Sequence, residues 1–385
     1  MNELMLYDLI GGPTNTSIII GENGSGKSRL LNTLAKRYVA DGYEVIGIAN
    51  SIHDKFTLRS SKFHFLGARS GRNISKNTIK KAIRNISSEN VVQLKQISQI
   101  LSYVGYSGKI GIKLNGLLPV DKYKLEEAGY LSKSEKQNIH SLVAKYYDLY
   151  EINRKSDDGV LWLGVDDFNF DQINKSIFSR FIELEAKLKK LGCLKSIEII
   201  LNKNGCALPL SQASSGELSF ITSMIYLATV IDERTVILID EPENSLHPSW
   251  QKEYLGKLLD LFHYYQAKIV IATHSPLIVS GAENTDRSVR VFKSELGELT
   301  RLEHEANDLE SLMWSLFSVT TPESRYMSNF FVKTLNDLGE NKIGLDEVME
   351  RVDAFEGSSY NDKQIQTLAG IRDIALKIQS RKVKG

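Results

Sequence analysis

The octapeptide GENGSGKS, Gly21 to Ser28, decides how the rest of the chain is to be read. It follows SIII (residues 17–20), a short apolar run that predicts a buried strand. It runs into SRLLNTLAKRYVADG (28–42), where apolar residues recur at helical spacing and stop at Gly42. A glycine-rich turn between a strand and a helix is built to hold an anion. Glycines let successive backbone N–H groups turn inward, and the helix adds its positive N-terminal end. The spacing G-x-x-x-x-G-K-[ST] makes Gly21, Asn23, Gly24, Ser25, Gly26, Lys27 and Ser28 candidate nucleotide-binding residues, with Lys27 reaching the β- and γ-phosphates of ATP and the Ser28 hydroxyl on Mg²⁺.

Working outward, YEVIGIANS (43–51) reads as a second strand and FHFLGARSG (63–71) as a strand entering a glycine turn. Strand, loop, helix, strand is the grammar of a parallel α/β sheet. RTVILIDEPE (234–243) supplies a strand with the unbroken apolar run of a sheet covered on both faces. Asp240 and Glu241 stand at its C-terminal end, the edge where parallel sheets bind ligands. Asp240 suits the shell of Mg²⁺, and Glu241 is placed to orient or deprotonate an attacking water. AKIVIATHS (267–275) is a further buried strand that ends on His274, a candidate to hydrogen-bond the γ-phosphate or that water.

LSQASSGELSF (210–220) repeats the logic without a lysine: small residues just before ELSFITSMIYLATVIDE, an apolar helix. Ser214 or Ser215 would serve as its N-cap, and the free N–H groups would also suit an anion. Taken together, these elements resemble the ABC-type ATPases. Ala213-Ser214-Ser215-Gly216-Glu217 is similar to their signature motif, usually LSGGQ, and Glu243 to Pro248 (ENSLHP) to the D-loop that follows the acidic strand. His274 matches the switch histidine. A predicted hairpin, SIEIILNKNGCALPL (196–210), turns at Asn204-Gly205 and leads straight into the signature. That order, with the spelling DEPENSLHPSWQ, resembles the SMC, RecF and OLD branch. The resemblance covers roughly residues 17–70 and 195–295. It implies an α/β P-loop NTPase fold with a mostly parallel central sheet, a short antiparallel subdomain, a helical insertion and a helical C-terminal extension. It also implies a head-to-tail homodimer, or a higher oligomer of such heads. ATP on the Lys27 loop of one subunit would be closed over by Ser214, Ser215 and Gly216 of the other. For adenine stacking Tyr7 is a candidate. No glutamine stands where the family's Q-loop would be, and Asn50 and Arg69 are both substitutes.

The expected domain organisation is an N-terminal lobe (1–71), a mostly helical insertion (72–165), a C-terminal lobe (166–305) and a helical extension (306–385). In the insertion, NTIKKAIRNI, NVVQLKQISQILSYV and SEKQNIHSLVAKYYDLYEIN read as helices, and GKIGIKLNG as one short strand. Arg69, Arg72, Lys76, Lys80, Lys81 and Arg84 form a basic run, either a solvated helix face or a contact for nucleic acid. Across the whole chain of 385 residues the formal net charge is only +1, so the charge balance advertises no polyanionic partner. Two cysteines, Cys193 and Cys206, read as free thiols of a reducing cytosol. With no signal-like N-terminus and no run long enough to span a membrane, the expectation is a cytoplasmic protein with no membrane partner.

Sustained heptads and a CxxC, the marks of a long zinc-hook coiled coil, are absent from the sequence, and no D-x-D of a TOPRIM nuclease follows His274. If a nuclease is involved, it is another polypeptide. Compact ATPases of this shape resemble the ATPase subunits of bacterial anti-phage systems of the Septu, PARIS and retron-associated kinds. That resemblance implies an ATPase controlling a separate effector: a nuclease of HNH or TOPRIM type, or a toxin. The alternative is a DNA-repair or recombination ATPase of the RecF kind that clamps DNA. The segment SLMWSLFSVTTPESRYMSNFFVKTLNDL (311–338) is either an association surface or ordinary core.

Overall fold

The computed structural model describes residues 9, 15–51, 53–67, 73–85, 91–153, 159–164, 171–286, 288–295, 298–302, 313, 325–356 and 362–383. Its elements run β1 (Thr16–Ile20), α1 (Lys27–Ala40), β2 (Glu44–Ala49), β3 (Phe63–Gly67), α2 (Ile74–Asn85), α3 (Val91–Tyr103), β4 (Ile110–Asn115), α4 (Lys122–Glu127), α5 (Lys133–Asn153) and β5 (Val160–Leu163). They continue α6 (Asp171–Lys190), β6 (Ser196–Lys203), β7 (Cys206–Pro209), α7 (Ser215–Val230), β8 (Thr235–Asp240), α8 (Pro248–Phe262), β9 (Lys268–Thr273) and α9 (Pro276–Thr285). The last are β10 (Arg290–Glu295), β11 (Glu298–Arg301), α10 (Arg325–Gly339), α11 (Leu345–Glu356) and α12 (Asp362–Val383).

The chain divides into two compact units, Met1–Leu30 with Gln251–Leu255 and Val270–Gly385, and Leu31–Trp250 with Gly256–Ile269. In the first, β1 is buried along its whole length and pairs parallel with β10, from Ser17 opposite Arg290 to Ile20 opposite Lys293. β11 folds back antiparallel on β10. The helices α10, α11 and α12 close a core of their own around Phe331, Val348, Val352, Phe355 and Leu368. Met327 and Phe331 therefore belong to a core, while residues 311, 312 and 314–324 of the aromatic segment lie outside the described residues.

In the second unit, β2 runs parallel between β3 and β8, with Ala49 opposite both Gly67 and Asp240. Every residue of β8 is buried, as its apolar run demands. A separate antiparallel sheet has the order β5-β4-β6-β7. Its β6-β7 hairpin turns where Asn204 and Gly205 both take positive φ, 54° and 81°, the backbone that an Asn-Gly pair adopts at low cost. The described elements of the insertion are four helices and two strands; β4 stands where GKIGIKLNG predicts a strand, β5 is an addition, and both join this sheet. The four-residue run of β5 is too short to declare a period, and its strand character comes from pairing with β4. Helices α2 and α3 pack against α7, which explains why α7 is apolar on nearly every side. Cys193 is buried and Cys206 exposed, both as free thiols. Among the described residues no helix is long and apolar enough to cross a membrane.

Candidate functional site

In the first unit the turn after β1 has the shape its glycines allow. Gly24 and Gly26 take φ of +87° and +99°, a region that residues with a Cβ enter at a cost. Asn23 and Gly24 are exposed at its tip, while Gly21 and Lys27 are buried at its base. The Lys27 ammonium donates to the Gly21 and Glu22 carbonyls, each at 2.8 Å, so the lysine staples both ends of its own loop. The Ser294 hydroxyl of β10 donates to the Ser25 carbonyl at 2.9 Å and braces the loop from the side. α1 starts at Lys27, and the first N–H groups of a helix find no acceptor within it. The Ser25 hydroxyl oxygen is buried without a hydrogen-bond partner among the described residues. A polar atom left so beside a nest of N–H groups fits a phosphate group, whose oxygens would accept from it. Ser28, half-buried in the first turn of α1, is the residue there that would reach a magnesium ion.

His274 follows β9 in the same unit and is held by its neighbours. The Ser275 N–H donates to the Thr273 hydroxyl at 2.9 Å, and the Ser275 hydroxyl donates to the Gln251 side chain at 2.6 Å. That hydroxyl also accepts from the Leu277 N–H and caps α9. The half-buried His274 thus stands directly before a residue whose backbone and side chain are both held.

The second unit carries the acidic strand end. Asp240 is 1% exposed, and Glu241 emerges half-buried with φ of +51°, unusual for a residue with a side chain. Such a backbone costs of order 1–3 kcal/mol and persists where its surroundings dictate it. Here Asn244 dictates it: its side-chain amide donates to Glu241 Oε2 at 2.9 Å, and its N–H donates to the Glu241 carbonyl. Asn50, at the end of β2, donates its N–H to the Asp240 carbonyl and its side-chain amide to the Pro242 carbonyl. It braces this turn; Arg69 and Tyr7 lie outside the described residues. The D-loop then turns through Ser245, at φ of +70°, and the His247 ring caps α8 by accepting from the Ser249 N–H.

The signature turn lies in the same unit. β7 runs into a 3-10 turn at Leu210–Gln212, and Ser214 caps α7. Its hydroxyl accepts from the Glu217 N–H at 3.3 Å, and Glu217 returns a carboxylate oxygen to the Ser214 N–H at 2.8 Å, a complete capping box. Ser214 and Ser215 are exposed, whereas Gly216 is buried under the D-loop. A Cβ on Gly216 would stand 2.4 Å from the Ser245 carbonyl oxygen. Only glycine lets the signature and the D-loop approach this closely. Burial would raise the Glu217 pKa, but the Lys203 ammonium, the Ser214 N–H and the Tyr106 hydroxyl outweigh it and hold the carboxyl at about 2.

Gly21 to Ser28 and His274 therefore stand in one unit, and Ser214, Ser215, Gly216, Asp240 and Glu241 in the other. Asn244, Ser245, Lys203 and Tyr106 were not singled out by motif. Asn244 and Ser245 lie inside the quoted D-loop spelling, so the signal was present; Lys203 and Tyr106 carried none. The basic run is smaller than its sequence suggests. Lys80 is buried and ion-paired with Glu185, and its burial pulls the ammonium below its ordinary range. Lys81 and Arg84 are exposed, and Arg69 and Arg72 lie outside the described residues. Among the described residues no cluster of three or more His, Cys, Asp or Glu side chains could hold a metal by itself.

Residues 119–280 match the family AAA_21, described as "AAA domain, putative AbiEii toxin, Type IV TA system". That stretch includes the signature turn, β8 and His274 but not the phosphate loop. "Retron Vc95 probable ATPase" of Vibrio cholerae serotype O1 biovar El Tor is 22% identical over 352 residues, covering 69% of this chain and 67% of that protein. "Retron Ec83 probable ATPase" of Escherichia coli is 31% identical over 93 residues, covering 21% of this chain and 17% of that protein. The chain thus spans about two thirds of the first relative and less than a fifth of the second. A solved Smc head domain with an extended coiled coil, bound to the C-terminal domain of ScpA and derived from Pyrococcus furiosus, covers 75% of this chain and 90% of its own at 13% identity, with a TM-score of 0.28, too low to support an argument. The fold is α/β, with parallel strand pairing in each unit and a separate antiparallel sheet, and the chain is similar to ATPases named for retrons.

Proposed function

We propose that this chain binds and hydrolyses ATP as a head-to-tail dimer of heads and serves as the regulatory ATPase subunit of a bacterial anti-phage complex. The effector under its control, a nuclease or toxin, would be a separate polypeptide. The observation that carries the reading is the phosphate loop: two left-handed glycines, a helix opening on a buried lysine, and a buried serine hydroxyl that lacks a partner among the described residues. Magnesium-bound ATP, when present, supplies the cleavable anhydride. Lys27 and the N–H groups of Gly24 to Ser28 bind and orient its phosphates. Ser28 and Asp240 are the residues that would hold the magnesium ion. Glu241 orients the attacking water and accepts its proton at a carboxylate oxygen, and His274 donates to the γ-phosphate or orients the same water. The signature turn has exposed serines and no lysine, which suits closure over a neighbour's nucleotide.

Mixing two inactive variants tests both the catalytic and the dimeric parts. Lys27→Ala is expected to lose nucleotide binding, and Ser214→Arg to bind nucleotide without turning it over. Together they recover up to about a quarter of wild-type turnover, since half of randomly mixed dimers hold one intact composite site. Wild-type nucleotide affinity in Lys27→Ala would refute the phosphate loop. No recovery, with mixed dimers shown to form, would refute closure in trans. A second reading, a DNA clamp, draws on the exposed Lys81 and Arg84. Salt-sensitive DNA binding lost in the Lys81→Glu, Arg84→Glu double variant would favour it.

A further inference from the structure

Glu217 occupies the position where the signature motif of the resemblance carries glutamine. A neutral amide there would need no counter-charge; a largely buried carboxylate does. Its oxygens are fully engaged. Oε1 accepts from the Lys203 ammonium at 2.7 Å. Oε2 accepts from the Tyr106 hydroxyl at 2.9 Å and, at the same atom, from the Ser214 N–H at 2.8 Å. The Lys203 ammonium also lies over the Tyr106 ring, 5.0 Å from its centroid. The turn that presents Ser214 and Ser215 is therefore tied to two places outside its own helix.

Those two places are themselves joined. Lys203 ends β6, and Tyr106 lies in the connection from α3 to β4, within the 72–165 insertion. β4 pairs with β6 over six residues, from Ile110 opposite Leu201 to Asn115 opposite Ser196. Beyond that ladder the Ser107 N–H donates to the Asn202 carbonyl at 2.7 Å. A shift of the insertion that carries Tyr106 away withdraws a donor from the very oxygen that holds the Ser214 N–H. Among the described residues the donors on that oxygen are the Tyr106 hydroxyl and the Ser214 N–H.

We propose that Glu217, Lys203 and Tyr106 form a positioning latch through which the 72–165 insertion sets the orientation of the Ser214–Ser215 turn and, with it, the rate of ATP turnover. The latch rests on the reading that this turn closes over a partner's nucleotide. None of the three residues touches nucleotide in that reading; they act through the backbone of Ser214.

Steady-state kinetics on the full-length dimer separates latch from fold. Lys203→Met is expected to lower kcat about tenfold, the scale of one lost charged hydrogen bond, while the affinity of the phosphate loop for a fluorescent ATP analogue is unchanged. Lys203→Arg restores most of the loss, and Tyr106→Phe lowers kcat about threefold. Hydrogen exchange adds the direction of coupling: ATP slows exchange across residues 101–107 in the wild type and fails to do so in Lys203→Met. If Lys203→Met does not fold, as thermal unfolding would reveal, Tyr106→Phe carries the test alone. Wild-type kcat in Tyr106→Phe, with Ser214→Arg inactive, overturns the latch and leaves the dimeric reading standing. Wild-type turnover in Ser214→Arg overturns that reading and the latch with it.

Discussion

The phosphate loop and the signature turn each open a helix, and they do so by different means. The first relies on backbone: Gly24 and Gly26 bend left-handed, and Lys27 reaches back to two carbonyls of its own loop. The second relies on side chains: a capping box closes the helix end, and its carboxylate is held by Lys203 and Tyr106. A loop that carries its own cation and its own bend is complete in one short stretch. A turn without a cation, whose capping carboxylate depends on residues 14 and 111 positions away, is suited to be adjusted. The first turn is self-contained, whereas the second depends on the fold around it.

The sharpest way to break this contrast is Glu241→Gln. If holding and turnover are separate, this change lowers kcat by about a hundredfold or more and leaves nucleotide affinity in place. The ATP-bound dimer should then accumulate, as size-exclusion chromatography with ATP would show. A variant that turns ATP over like the wild type would remove Glu241 from the reaction. Next in size is Gly216→Ala. Its Cβ would meet the Ser245 carbonyl, which is backbone and yields only by moving the D-loop. The expected cost is about 1–3 kcal/mol of stability, read as a lower Tm, with turnover falling further than the affinity of the phosphate loop. A variant as stable and active as the wild type would show that signature and D-loop need no close contact.

The smallest effect concerns protons. The Glu217 carboxyl is held at about 2, below its ordinary 4.5, so the folded chain binds this proton more weakly than the unfolded one. Its contribution to stability is full above about pH 4.5, shrinks as pH falls and is gone below about pH 2. Glu217→Gln should therefore lose less stability than the wild type over that interval, a difference denaturant titrations at several pH values would resolve. Equal pH slopes would mean that Lys203 and Tyr106 do not stabilise the charged form.

Most of the first turn was legible because its instructions are local. Strand, glycines, lysine and helix lie within residues 16–40, and each acts on its immediate neighbours. β8, β9 with His274, and the Asn204-Gly205 hairpin were legible for the same reason, since an apolar run or a turn dipeptide declares itself over a few residues. The second turn was legible only in outline. Ser214 reads equally as a cap or an anion site, and the structure shows the cap.

What the chain determined by itself, then, is the α/β order of its elements, the phosphate loop and the position of the acidic strand end. Tertiary structure alone decided that Lys80 belongs to Glu185 rather than to solvent, that Val160–Leu163 becomes a strand, that Gly216 lies under Ser245, and that Glu217 answers to Tyr106. The reason is physical. Backbone bends and hydrophobic periods are properties of neighbouring residues, whereas the partner of a buried charge is whichever group the fold brings within reach.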